Sequence, residues 1–245
     1  MLYESKSLKV ILQEEPKHYF LYLFLRVIIG ELLENHLLQK LGSKAITKKE
    51  LLQAVEANFG LLPMVLDGLV SPKATIRYGC GSILIELSEK HPSELYPYID
   101  RFIALLDSRY RISVWNALSI VANLTSVDID GKFEKNFNKY YGFLNNEYMV
   151  TVANVVGNSE RIVSNKPHLA DKIMTELLKV QNLQSTPHIS NECKLVIAQH
   201  AIRTFNTLIV YTQNRKPLID FVQKHKNSTR ASLRKEAQNF LRKWE

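Results

Sequence analysis

The sequence predicts an all-α protein made of short helices arranged in pairs. Turn-forming residues are scarce, with 9 Gly and 8 Pro in 245 residues, about 7% where globular chains average roughly 12%. An all-β sandwich or barrel draws on such residues for its many tight turns, so both architectures are disfavoured. Apolar residues recur at helical spacing, and no alternating run of strand length is present. The stripes also come two by two, and the first two pairs share a 34-residue offset.

Taken in chain order, residues 1–45 read as an N-terminal helical cap. Pro16 can open a helix that runs to Leu41, with Gly42 as its C-cap. Residues 19–29 are apolar almost all round and require cover from the first repeats or from another subunit, which makes a homo-oligomer one expectation. That segment is interrupted by Arg26, followed by Glu31, and is shorter than the ~20 residues of a spanning helix. No membrane span is expected. Residues 46–216 then hold the repeated pairs. Leu61-Leu62-Pro63 opens one unit and Leu95-Tyr96-Pro97 the next, and the same offset maps Arg77 onto Arg111 and Leu84 onto Leu118. Further pairs are expected at 133–144 with 147–163, 168–181 with 190–211, and 216–226 with 229–244. Between them fall Ser71-Pro72, Asp107-Ser108, Asn145-Asn146, Ser185-Thr186-Pro187 and Asn227-Ser228, residues that cap helices or start them.

The segments "LLPMVLDGLVSPKATIRYGCGSILIEL" (61–87) and "LYPYIDRFIALLDSRYRISVWNALSIVANL" (95–124) resemble consecutive HEAT repeats. The likeness lies in the Leu-Pro opening, the Ser-Pro turn, the pair Ile76-Arg77, and the small residues Gly79, Cys80 and Gly81. Membership of the HEAT/armadillo class implies a right-handed α-α superhelix, a solenoid of about five helix pairs with an N-terminal helical cap. It implies one helical-repeat domain over 1–245, since each pair buries its faces only against its neighbours, with 217–245 as a basic capping helix pair.

No catalytic or metal-binding signature stands out. Tyr78-Gly79-Cys80-Gly81-Ser82 lacks the lysine of a phosphate loop and the third glycine of a dinucleotide turn, so it reads as helix packing. Asp128-Ile129-Asp130-Gly131 places Gly at the fourth position of a calcium-type loop and Lys139 at the twelfth, and reads as a capped loop before Phe133. His188, Glu192, Cys193 and His200 share a helix pair without convergent metal spacing. No cofactor and no metal is expected. Cys80 and Cys193 are too few and too far apart for a disulfide framework, which favours a reducing, cytoplasmic setting; the N-terminus shows no signal-peptide pattern.

The net charge is +8 and the isoelectric point about 9.3. Residues 215–245 carry nine Lys and Arg against three Asp and Glu. In the last helix Leu233, Ala237, Phe240, Leu241 and Trp244 make one face, while Arg230, Arg234, Gln238 and Arg242 make another. That basic stripe fits either a solubilising cap or a contact for phosphate or acidic peptide. Arg77 and Arg111 would extend it along the array. Trp115 and Asn116, with Asn123, are candidate surface contacts, although the resemblance to armadillo-type adaptors implies a Trp-plus-Asn ladder, and here Trp115 is followed four residues later by Ser119, while Asn154 and Asn158 have the spacing without the Trp. The leading expectation is a non-catalytic scaffold or adaptor that holds a protein partner on one face. The alternative is a nucleic-acid binder resembling the HEAT-like alkylpurine DNA glycosylases in size, basicity and the segment around Arg111. It lacks, in 74–88, the Asp-plus-Trp pair such an enzyme uses.

Overall fold

A computed structural model describes residues 36–245. Most of the expected N-terminal cap, including the apolar segment 19–29 and the self-association assigned to it, lies outside the described residues. The described part forms two compact units, one up to Ile83 and one from Leu84 to Glu245. The boundary falls inside a single helix.

In the first unit, residues 36–42 end a helix through a Schellman motif. The amide of Ala45 donates to Lys40 O at 2.8 Å and that of Lys44 to Leu41 O at 3.2 Å, and Lys44 occupies the left-handed region at φ 62°. The left-handed residue is therefore Lys44, two positions beyond the Gly42 expected as the cap. Gly42 serves packing instead: a Cβ there would lie 3.1 Å from Ile76 Cγ1. Helix α1 (Lys48–Ala57) opens on a capping box in which Thr47 and Glu50 exchange bonds at 2.7 and 3.2 Å. Helix α2 (Leu62–Gly68) takes Pro63 in its first turn, where proline sacrifices no intrahelical bond. Helix α3 (Ala74–Lys90) packs on it through small residues. A Cβ on Gly68 would meet Cys80 Sγ at 2.3 Å, and one on Gly79 would meet Leu41 Cδ2 at 2.7 Å. The glycine-dense stretch is thus a close-packed seam, and burial pushes the Cys80 thiol up to about 12.

The second unit continues as helix pairs. Helices α4 (Pro92–Leu95) and α5 (Ile99–Ala104) precede α6 (Arg111–Leu124). Helices α7 (Lys132–Lys135) and α8 (Phe137–Gly142) precede α9 (Met149–Asn165). Helix α10 (Ala170–Leu177) precedes α11 (Asn191–Tyr211), and α12 (Lys216–Gln223) precedes α13 (Ala231–Trp244). The first members, α12 excepted, are broken or flanked by 3₁₀ turns, two of them at prolines. The second members stay long and stack in sequence, α6 on α9, α9 on α11, α11 on α13. In the third pair Phe133, Phe137, Tyr140 and Tyr141 form a buried aromatic cluster with centroids 4.5–6.2 Å apart, edge-to-face except for the tilted Phe137–Tyr141 pair. Their hydroxyls are met inside the core: Tyr140 donates to Leu118 O at 3.0 Å and Tyr141 bonds Ser159 Oγ at 3.0 Å.

The turns before the long helices reveal the true repeat register. Three residues ahead of α3, α6, α9 and α13 a polar side chain accepts a backbone amide two residues on: Ser71 from Lys73, Ser108 from Tyr110, Asn146 from Tyr148, Ser228 from Arg230, at 3.0–3.3 Å; α11 is instead capped by Ser190. Counted from these turns, Arg77 corresponds to Val114 and to Arg234, while Arg111 corresponds to Ala74. The 34-residue offset therefore misaligns Arg77 and Arg111 by three positions, because the inter-helix segment is longer in the second pair.

Candidate partner-binding face

The long helices of the second unit are stitched to one another by side-chain bonds, some buried and some at the surface. Between α6 and α9 the Trp115 indole donates to Thr151 Oγ1 at 3.0 Å, Asn158 to Ser119 Oγ at 3.4 Å, and Asn165 to Thr125 Oγ1 at 2.9 Å. Between α9 and α11, Thr204 donates to Val156 O and Thr207 to Glu160 Oε1, both at 2.9 Å. Between α11 and α13, Arg203 bonds Glu236 at 3.3 Å and the Trp244 indole bonds Asn206 Oδ1 at 3.0 Å. Asn123 reaches back from α6 to Ser88 Oγ at 2.7 Å. Such bonds hold the helices in register, so side chains projecting from them present a fixed surface.

On that surface lies a groove of about 510 Å³ lined by Ile85, Glu89, Ser119, Gly157, Asn158, Glu160, Arg161 and Ser164. Three successive long helices contribute to it. Arg161 bridges two of them, pairing with Glu89 at 3.1 Å and bonding Asn123 Oδ1. Gly157 opens the wall, since a Cβ there would meet nothing within 4 Å. The lining mixes an aliphatic side chain, hydroxyls, an amide and charges of both signs, which suits polar and apolar groups of another polypeptide. On α11, burial and the neighbouring Arg203 push His200 down.

The residues singled out in the sequence are distributed differently. Arg77 is half-buried and donates to Ser71 O at 2.5 Å and Pro72 O at 2.9 Å, bracing the turn before α3. Arg234 does the same for its own turn, donating to Ser228 O at 2.6 Å. Arg230 pairs with Glu192 and bonds Gln199 Oε1 at 3.3 Å. Gln238 is tied to Lys226 O at 3.2 Å. Within the predicted basic stripe only Arg242 is both exposed and without a bond to another described residue. Asn116 is buried in α6, and its amide nitrogen has no partner. Trp115 is half-buried through its bond to Thr151. Arg111 lies 4.1 Å over the Tyr148 ring, which stacks at 4.3 Å on His188. The structure thus joins Arg111, Tyr148 and His188 at one edge, and does not bring the arginines into a continuous ladder. Glu89, Gly157 and Arg161 were missed as site residues; the one sequence signal for them was the Asn154–Asn158 spacing on a single helix face.

Asp128 caps the turn before α7, accepting from Lys132 N at 2.9 Å and Phe133 N at 3.0 Å, as expected for a capped loop. Among the described residues no group of three or more His, Cys, Asp or Glu converges as a metal site requires. Among them, too, no helix is long and apolar enough to cross a membrane.

No family model and no curated protein matches the sequence. Solved structures do. A designed armadillo repeat protein is 15% identical with a TM-score of 0.53, covering 84% of this chain and 90% of its own. An engineered protein is 14% identical with a TM-score of 0.52, covering 84% and 86%. At these identities the likeness establishes the fold, and this chain has the fold of an armadillo-type helical-repeat protein.

Proposed function

We propose that the chain is a non-catalytic scaffold that holds a protein partner across the exposed edge of α3, α6 and α9. A repeat fold suits a scaffold-type binding role, and the observation carrying this reading is the groove over Ile85, Ser119, Gly157 and Asn158. It is built from three consecutive repeats whose mutual register is fixed by side-chain bonds, which is the preorganisation that a binding face needs. The free thiols of Cys80 and Cys193 fit a cytoplasmic setting.

The test uses a random peptide library selected on the immobilised full chain. Binders are then measured against Gly157→Leu, a variant whose Cβ enters open space, whose side chain adds bulk at the groove wall, and which gains helix propensity. Loss of at least about tenfold in affinity, or about 1.4 kcal/mol, supports the reading. Equal affinity for both proteins sinks it.

Nucleic-acid binding is the second reading, favoured by one observation: Lys235, Arg242 and Lys243 are all exposed on α13. Anisotropy of a labelled duplex, tight at low salt and falling steeply as salt rises, would support it if Lys235→Glu/Arg242→Glu abolished the signal. Those residues are the right probes because Arg230 and Arg234 are engaged within the fold.

A further inference from the structure

The unit ending at Ile83 contains a second concavity, unrelated to the groove above, and we infer that it binds an amphipathic anion: an aliphatic chain carrying one carboxylate. Its volume is about 590 Å³, inside the roughly 300–1,000 Å³ range of small-molecule pockets. Leu41, Ile46, Ala74, Tyr78 and Gly79 form the walls. Leu41 and Gly79 are buried, whereas Tyr78 is 56% exposed, a large aromatic surface left open to solvent. Two of the three hydroxyls along the lining, all but that of Tyr78, are already engaged. Thr47 serves the capping box and Thr75 donates to Gly42 O at 3.4 Å. A sugar or nucleotide would therefore find few groups to bond, while an alkyl chain would find carbon.

Charge completes the match. Lys44 and Lys48 line the same cleft, are exposed, and have no ion pair among the described residues. Among the described residues no acid lines the cleft, and Glu50, the nearest acid in sequence, is committed to Thr47. Two uncompensated ammonium groups thus stand beside an apolar cavity. The backbone gives an independent pointer. Lys44 holds φ 62° at the C′ position of a Schellman motif, a place where glycine is the usual residue because it adopts the left-handed region without strain. Such an outlier points to a use for the side chain, and here that side chain sits at the cleft.

Calorimetric titration of the full chain with decanoate and with 1-decanol tests the inference. Saturable decanoate binding at one site is expected, with 1-decanol at least about tenfold weaker. Lys44→Glu/Lys48→Glu should weaken decanoate by at least about tenfold with unchanged circular dichroism, as loss of two attractions and gain of two repulsions requires. Ala74→Trp, at an exposed wall position, should block the cavity. Lys44→Gly should raise Tm by about 1–3 °C while weakening decanoate, which separates the ligand role of the side chain from its effect on the fold. No saturable binding by the native chain overturns the inference. So does binding that survives both the charge reversal and Ala74→Trp, or equal affinity for the acid and the alcohol.

Discussion

Asp128 sits in an irregular segment between α6 and α7, yet it organises everything around it. Its side chain is fully buried and accepts bonds from two backbone amides, from the Tyr96 hydroxyl at 2.7 Å, and from Lys166 at 3.1 Å. Burial opposes its ionisation, but the Phe133 amide, Tyr96, the Lys132 amide and Lys166 outweigh it, so the carboxyl is held below the usual carboxylate range. Burial likewise pulls Lys166 down, and Glu134 with Asp128 more than restores it, leaving the ammonium above its ordinary value. Truncating Asp128 would leave Lys166 charged and buried beside Glu134 alone. Asp128→Ala is expected to cost about 3–5 kcal/mol in urea unfolding at pH 7, and Asp128→Asn/Lys166→Met to recover part of that loss. The pH dependence follows from the signs. A depressed carboxylate contributes stability present above its unfolded value of about 3.9 and lost as pH falls through its lower folded value. The raised lysine contributes stability below about 10.4 that is lost as pH rises through its higher folded value. Native stability should thus be flat between these limits as far as this cluster is concerned, and the Asp128→Ala deficit should shrink below about pH 4. A deficit unchanged at pH 3 would remove the electrostatic account.

The helices and turns show which signals a sequence carries and which it hides. Helix pairs, their order and their apolar faces were legible because the 3.6-residue period is local: Ile99, Phe102, Ile103 and Leu106 are all buried, as are Leu233, Ala237, Phe240 and Leu241. Repeat register was not, because the segment from the Leu-Pro opening to the helix start differs in length between copies. The 34-residue offset consequently pairs Arg77 with Arg111, where the structural equivalent is Arg234. The destination of the arginines was also hidden. A stripe at four-residue spacing on an exposed helix implies solvent, whereas Arg230 and Arg234 reach over the helix start to Glu192, Gln199 and Ser228. Arg234→Ala should accordingly destabilise the terminal helix by about 1–2 kcal/mol, the loss of one charge-assisted bond to a carbonyl. Lys235→Ala, at the adjacent exposed position of the same helix, should change stability by less than about 0.5 kcal/mol. Thermal unfolding of the two variants decides the matter; equal effects would mean that the turn brace contributes nothing.

At the scale of the whole molecule, stability should be graded along the stack in the way nearest-neighbour repeats require. Within the unit from Leu84 to Glu245, α9 has a long helix on each side, α6 and α11, and buries Val152, Val155, Val156, Ile162 and Val163 between them. Helix α13 packs on α11 and α12 and turns Lys235, Gln238, Asn239 and Arg242 to solvent, the polar outer face that a terminal repeat needs if no further copy covers it. Opening α13 therefore exposes one helix face, while opening α9 exposes two and breaks the side-chain bonds to both neighbours. Native-state hydrogen exchange should find the amides of α13 exchanging at least about tenfold faster than those of α9, a gap of about 1.4 kcal/mol in opening free energy. Arg234→Ala should widen the gap from the α13 side alone, because its bond lies wholly within the last turn and helix. Protection that is equal in α9 and α13, and falls together in the variant, would show instead that the unit opens as a single cooperative block; the face over Gly157 and Asn158 would then be only as rigid as the molecule's terminal helix.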